Sequence, residues 1–240
     1  MTHLIPKILH VSWKTTDIFE SDSRIIKNGL RRFHEMNPEW GIHIHTDEDV
    51  NEYLSSRLKE DHWNLLKNEH IVAKLDVWRL MILHETGGMY MDLDRYCDQN
   101  MDEIIQPTTK VVLPMYQDTD FSQDIIISAP ESPFLMAAFI ANMNQRESGI
   151  TDVFTLGPVN YMSTTSYLLT GKPLERDPSS EDIEQLRHRI EDNPNLQTYR
   201  EEPPGNTFIY RSKDVSWDQW EKDKRELYAS YGMKHWTGEW

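Results

Sequence analysis

Cysteine is nearly missing: Cys97 is the one thiol in 240 residues. That excludes an intramolecular disulfide framework and any cysteine-rich zinc site. Long apolar runs are missing as well. No run approaches the ~18 residues of a membrane span, and the opening MTHLIPKILHVSW is too short and too polar for a signal peptide. We therefore expect a soluble, cytoplasmic protein without a membrane span. Positive charge is scarce, with 25 Lys and Arg against 40 Asp and Glu and a net charge of −15. This argues against nucleic acid or an anionic membrane surface as a main partner. An anionic small ligand stays open, because a bound cation and local Arg or Lys can reverse the local field. There is no internal repeat, no low-complexity segment and no glycine-rich phosphate loop. No Ser-His-Asp or Cys-His arrangement stands out, so hydrolase and P-loop readings rank low.

What is present fits one α/β domain over residues 1–240, long enough for a full core. Ile5 to Trp13 reads as a first strand and Asp22 to Met36 as an amphipathic helix ended by Asn37-Pro38. Trp40 to His45 alternates as a second strand, with Thr46 and Asp47 as N-cap candidates for a short helix. His43 and His45 share one face of that strand. They resemble a zinc pair, but no third ligand has matching spacing, so they read as ordinary surface histidines. Later strands are expected at Lys110 to Pro114, Asp124 to Ser128 and Thr207 to Arg211. Helices are expected at Pro133 to Asn144, from Gly157-Pro158 to about Leu169, at Glu181 to Glu191 and at Ser216 to Ala229. Arg95 to Pro107, Gly171 to Ser180 and Pro194 to Asn206 read as loops. Strands alternating with helices imply a sheet covered on both faces.

The chain is organised around Ala73 to Asp94, AKLDVWRLMILHETGGMYMDLD. Val72, Leu75, Arg79 and Leu83 follow one helical face, and Trp78 and Ile82 extend it, so the helix is apolar around most of its girth. Asp76 and Arg79, neighbours at i, i+3, interrupt that surface. Ionised groups on a buried face are costly unless paired or bound to something. Gly87 and Gly88 stop the helix through a left-handed conformation. Met89 to Asp92 forms a strand, and Asp92 and Asp94 sit where it ends. Oxygen ligands at that spacing suit a hard divalent cation, Mg²⁺ or Mn²⁺, which neutralises phosphate.

Ala73, Asp76, Arg79, Leu83, Gly87, Gly88, Tyr90, Asp92 and Asp94 resemble the A-x-x-D-x-x-R-x-x-x-L-x-x-x-G-G-x-Y-x-D-x-D block of the DXD glycosyltransferases. That group includes fungal initiating mannosyltransferases, bacterial capsular sugar transferases (glycosyltransferase family 32) and, more distantly, the glucosylating clostridial toxins. Pro6, Lys7, Ile8, His10 and Trp13 match the family's opening P-K-I-I-H-x-x-W, and the closing His235 to Trp240 resembles its H-x-x-x-G-S-W. The resemblance implies a single-domain, Rossmann-like GT-A fold that binds a sugar nucleotide at strand carboxyl ends. It implies retaining transfer of a hexose from a UDP- or GDP-sugar to a hydroxyl of a glycan or other acceptor.

By the same resemblance, Asp92 and Asp94 hold the cation with help from His235, and Asp76 and Arg79 grip sugar and diphosphate. His10, Trp13 and Tyr90 belong to the donor site, Trp13 stacking on the base or serving as a core aromatic, and Trp240 closes over the donor. Asp124, where the family has Asn, borders the transferred sugar and is the first candidate for a carboxylate nucleophile. A same-face mechanism would need none. Ser132 and Glu239 also depart from the family pattern. They keep two alternatives open: an inactive nucleotide-sugar or carbohydrate-binding protein of the same fold, and a metal-dependent nucleotidyltransferase.

Overall fold

A computed structural model describes residues 3–96, 99–116, 120–121, 123–175, 178–200 and 216–235. Among them, seven strands form one mixed sheet: β1 (Ile8–Ser12), β2 (Gly41–His45), β3 (Gly88–Met91), β4 (Val111–Tyr116), β5 (Asp120–Phe121), β6 (Ile125–Ser128) and β7 (Leu196–Arg200). The order is β2-β1-β3-β6-β4-β5, with β7 also paired to β4. β1 runs parallel to β2 and β3, while β6 is antiparallel to both β3 and β4. This is the expected α/β sheet.

Alternation along the strands sends side chains into two cores. Leu9, Val11, Met89, Met91, Ile125 and Ile127 pack into one, under the helical residues 24–36 and the C-terminal helix Trp217–Ser230. Tyr90, Ile126, Val111 and Leu113 pack into the other. There they meet the central helix Ile71–Thr86 and the helices Pro133–Glu147, Asn160–Thr170 and Ser180–Glu191. β3 and β6 are buried along their whole length, as strands covered on both faces must be.

The central helix leads directly into β3, and the two glycines make the junction. Gly87 has φ 67° and ψ −167°. This is not the left-handed cap expected from the sequence but a region with positive φ and extended ψ, open essentially to glycine alone. A Cβ on Gly87 would also come within 2.7–2.8 Å of Pro130 and 2.8 Å of Pro6, and one on Gly88 would stand 2.5 Å from the Ile8 carbonyl oxygen. The pair is selected by close strand packing as much as by the need for a stop.

Other departures have local causes. Leu196–Arg200, expected as loop, is the parallel partner of β4, because hydrogen bonding to β4 overrides its weak strand pattern. A short helix, Met101–Ile104, sits inside the expected loop 95–107, its N-terminus capped by the Asn100 side chain. The helix expected to begin at Gly157-Pro158 begins earlier, and Pro158 lies inside a π-turn, Thr155–Val159. A second π-turn, Lys27–Arg31, lies within the first helix. The expected strand 207–211 falls outside the described residues. No helix among the described residues is long and apolar enough to cross a membrane.

Candidate active site

The central helix is buried along most of its length, and two ionisable groups are buried with it: Asp76 is 3% exposed and Arg79 5%. They pair at 3.2 Å. Gln123 donates to the same Asp76 oxygen, Oδ1, at 2.7 Å, and Arg79 Nη1 donates to the Gln123 carbonyl at 2.7 Å. The Arg79 guanidinium lies 4.5 Å from the centre of the Tyr90 ring. The other Asp76 oxygen, Oδ2, is buried without a hydrogen-bond partner among the described residues. It abuts Gly157, where a Cβ would stand 2.8 Å away. Burial, only partly offset by Arg79, raises the Asp76 carboxyl to about 6. Arg79, ringed by Tyr90, Asp92, Asp76 and Asp124, stays protonated despite its burial.

β3 ends at Met91, and the chain turns at once through Asp92 and Asp94. The Asp92 amide donates to the Asp124 carbonyl at 2.8 Å, which extends the β3–β6 ladder to the first aspartate. The Tyr90 hydroxyl donates to Asp92 Oδ1, and Arg79 Nη1 approaches that oxygen at 3.6 Å. Burial raises the Asp92 carboxyl despite Arg79, and Asp94 and Asp124 add to the rise. Asp94 behaves oppositely. Lys224 Nζ sits 2.5 Å from its Oδ2 and Arg95 3.4 Å from its Oδ1. Burial alone would raise this carboxyl, but the two cations override it and hold it at about 2. Among the described residues, Oδ1 still has no hydrogen-bond partner of proper geometry. Arg95 also donates to Asp124 Oδ2 at 2.5 Å. Trp220 donates to the Asp94 carbonyl at 2.8 Å, which ties the loop to the C-terminal helix.

These groups line a cavity of about 400 Å³, within the range of small-molecule sites. Trp13, Asp76, Arg79, Tyr90, Asp92, Asp94, Asp124 and His235 all reach it. Trp13 is both core and wall. The residue is 7% exposed, makes edge contacts with Tyr228 and Tyr231, and buries Nε1 without a partner among the described residues. His235 stands beside Tyr228 at 5.9 Å between ring centres.

Two expectations need correction, and one falls outside the described residues. His10 does not line the cavity. It sits beside His43 and His45, two residues back along β1 from Ser12 on the same strand face, so it lies behind the strand end that forms the cavity wall. Asp92, Asp94 and His235 share the cavity but do not converge as a ready-made ligand set. Among the described residues, the one trio of metal-capable side chains with ligand atoms mutually within 4.8 Å is His10, His43 and His45. The reason is visible: Tyr90 and Arg79 engage Asp92, while Lys224 and Arg95 engage Asp94. Trp240 lies outside the described residues.

Residues 6–110 match the model of the glycosyltransferase sugar-binding region containing a DXD motif. That stretch, which holds Asp92 and Asp94, is thus similar to a DXD glycosyltransferase region. Inositol phosphoceramide mannosyltransferase 1 of Schizosaccharomyces pombe is 29% identical over 168 residues, which is 69% of this chain and 50% of that protein. Mannosyl phosphorylinositol ceramide synthase SUR1 of Saccharomyces cerevisiae is 31% identical over 139 residues, 56% of this chain and 34% of that protein. The chain thus spans half or less of the length of these curated relatives. The solved PaToxG glycosyltransferase superposes with a TM-score of 0.53 at 17% identity, over 92% of this chain and 84% of that one. That likeness shows a shared GT-A-like fold.

Around the DXD region, the structure adds residues the sequence did not single out: Arg95, Gln123, Lys224 and Tyr228. Lys224 carries no sequence signal, lying 130 positions from Asp94 in a charged helix. Gly157 had one, the Gly-Pro pair, although its packing against Asp76 required the fold. Gly29 plays a similar part: a Cβ there would clash with the Arg95 carbonyl oxygen. Both glycines lie in π-turns, which often mark functional sites.

Proposed function

We propose that this protein is a glycosyltransferase that moves a hexose from a sugar nucleotide to a hydroxyl acceptor. The observation that carries this reading is one cavity in which the DXD carboxylates, a buried Asp76–Arg79 pair and an aromatic wall converge. The names of the fungal relatives make a mannosyl donor and an inositol-bearing glycolipid acceptor the first pair to test.

Asp76 offers a buried, unpartnered oxygen suited to a sugar hydroxyl. Arg79, fixed by the Gln123 carbonyl and Tyr90, presents a guanidinium that matches phosphate oxygens. Trp13 offers a flat edge to the base, and its free Nε1–H offers a donor. Asp124 is clamped by Arg95. A carboxylate so engaged is a weaker nucleophile, so we favour a positioning role against the sugar and a same-face transfer with retention. Lys224 and Arg95 stand where a departing diphosphate would gain positive charge.

Two carboxylates and the unsatisfied Asp94 Oδ1 fit a hard oxygen-seeking cation, so Asp92 and Asp94 would hold Mn²⁺ or Mg²⁺, with His235 within the same cavity. When bound, such an ion supplies Lewis-acid stabilisation of the leaving nucleotide.

The test is incubation with a panel of GDP- and UDP-sugars with Mn²⁺, following nucleotide release with and without glycolipid or sugar acceptors. Acceptor-dependent release abolished by Asp94→Asn supports the proposal. Donor binding without release would point instead to a sugar-nucleotide binder, and pyrophosphate release to nucleotidyl transfer.

A further inference from the structure

The three histidines set aside by the cavity form a second cluster with its own chemistry. β1 and β2 run parallel with His10 directly opposite His43, and His45 lies two residues further along β2. Alternation therefore places all three imidazoles on one face of the sheet. The sequence showed the His43–His45 pair but not its third member, because His10 lies on another strand.

The geometry is that of ligands facing one point. His10 Nδ1 is 3.1 Å from His45 Nε2. Two nitrogens bound at ~2.0–2.1 Å to one tetrahedral ion stand about 3.3 Å apart, and their ring centres about 5 Å apart. The observed ring centres are 5.3 Å for His10–His45, 5.6 Å for His10–His43 and 6.3 Å for His43–His45. A small movement of His43, on the exposed edge strand, would close the set.

The far side of His10 is already organised. Its Nε2 lies 3.1 Å from Thr86 Oγ1. That hydroxyl has one proton and two carbonyls to give it to, Ile82 at 2.8 Å and Gly87 at 3.0 Å. Its oxygen is therefore free to accept from His10 Nε2–H, which leaves the Nδ1 lone pair facing His45 Nε2, where it accepts a hydrogen bond in the absence of an ion and is placed to ligate one. An outer hydrogen bond that fixes tautomer and ring orientation is the usual support of a metal-ligating histidine.

We propose that His10, His43 and His45 bind a divalent transition metal of imidazole preference, with zinc as the chemical type, at a site separate from the DXD cavity. Three neutral imidazoles, with a fourth position left to water, suit Zn²⁺ and disfavour Mg²⁺ or Mn²⁺. The site pins edge strand β2 to β1. It needs no sugar nucleotide and does not depend on the proposed transfer reaction.

The experiment uses tag-free full chain, dialysed against Zn²⁺ and then metal-free buffer, with zinc counted by mass spectrometry. The variants are His43→Ala, His45→Ala and Asp94→Asn, and His43→Gln is the second choice if His43→Ala does not fold. The expected result is one zinc per wild-type chain and per Asp94→Asn chain, and a loss of at least tenfold in zinc affinity in either histidine variant. Co²⁺ should give the intense visible bands of a tetrahedral site in the wild type and lose them in the histidine variants. Sugar transfer in Mn²⁺ should be unchanged by His43→Ala. Zinc retained in both histidine variants, or no zinc held by the wild type, overturns the proposal.

Discussion

Two buried charge clusters face the same cavity, and they are built differently. The Asp76–Arg79–Gln123 cluster sits on a helix and the start of β6's approach, with i, i+3 spacing, and lies against Gly157. The Asp94–Arg95–Lys224 cluster hangs on a loop and reaches across to the C-terminal helix. The first has both charged members on one helix. The second is tied to the C-terminal helix through Lys224 and Trp220. Their carboxyls also titrate in opposite senses: burial wins at Asp76, raised to about 6, and cations win at Asp94, lowered to about 2. We read the first as a fixed grip and the second as a gate that a ligand rearranges.

The comparison breaks most sharply at Asp94. Asp94→Asn keeps the side chain's shape and removes the charge that Lys224, Arg95 and a cation would share. We expect nucleotide release to fall by about 10³-fold, the order seen when a group that stabilises developing charge is lost. Stability should change little by comparison. Transfer at wild-type rate in this variant would remove the DXD pair from the mechanism.

Arg79→Ala tests the fixed grip. It leaves the buried Asp76 and the partly exposed Asp92 without their shared cation. Breaking one partner of such a pair costs about 3–5 kcal/mol, to be read as a lower midpoint in urea. A loss below about 1 kcal/mol would mean that the two carboxyls simply take up protons and that Arg79 is not structural.

The next effect is smaller and depends on pH. The Asp76 carboxyl has an ordinary value near 3.8 and is raised to about 6 in the fold. Between those values the folded chain holds a proton that the unfolded chain has released, so this group's contribution to stability falls as pH rises from 3.8 to 6. Asp76→Asn should flatten that part of the wild-type stability profile by a few kcal/mol, measured by urea denaturation at about pH 4 and 6.5. An unchanged profile would show that Asp76 is ionised throughout.

How far these clusters could be read from the sequence follows the same division. Asp76, Arg79, Gly87, Gly88, Asp92 and Asp94 lie within one helix–strand–turn unit, so their spacing alone fixed helix, stop and strand. The outer elements with strong periodicity were legible for the same reason. Leu196–Arg200 was not, because its strand identity comes from pairing with β4 rather than from its own alternation. The third histidine was hidden likewise, since a parallel register, not a spacing, brings His10 to His43. Lys224 could not be seen at all: a lysine in a charged amphipathic helix looks like every other solvated lysine until the helix docks, through Trp220, on the Asp94 carbonyl.

That docking gives the last test. Lys224 Nζ lies 2.5 Å from Asp94 Oδ2 and 5.0 Å from the centre of the Trp220 ring. Its ammonium therefore holds a position that a divalent cation would contest. Lys224→Met keeps the stem's packing and removes that competitor. Asp94 should lose part of its acid shift, and its affinity for Mn²⁺ should rise by about tenfold, equivalent to about 1.4 kcal/mol, in a calorimetric titration without donor. Transfer at saturating Mn²⁺ should slow at the same time, since the departing diphosphate loses a positive neighbour. If Mn²⁺ binds more weakly in Lys224→Met, then Lys224 supports the cation site rather than competing for it. The gate would then be as fixed as the Asp76–Arg79 grip, and the contrast between the two clusters would disappear.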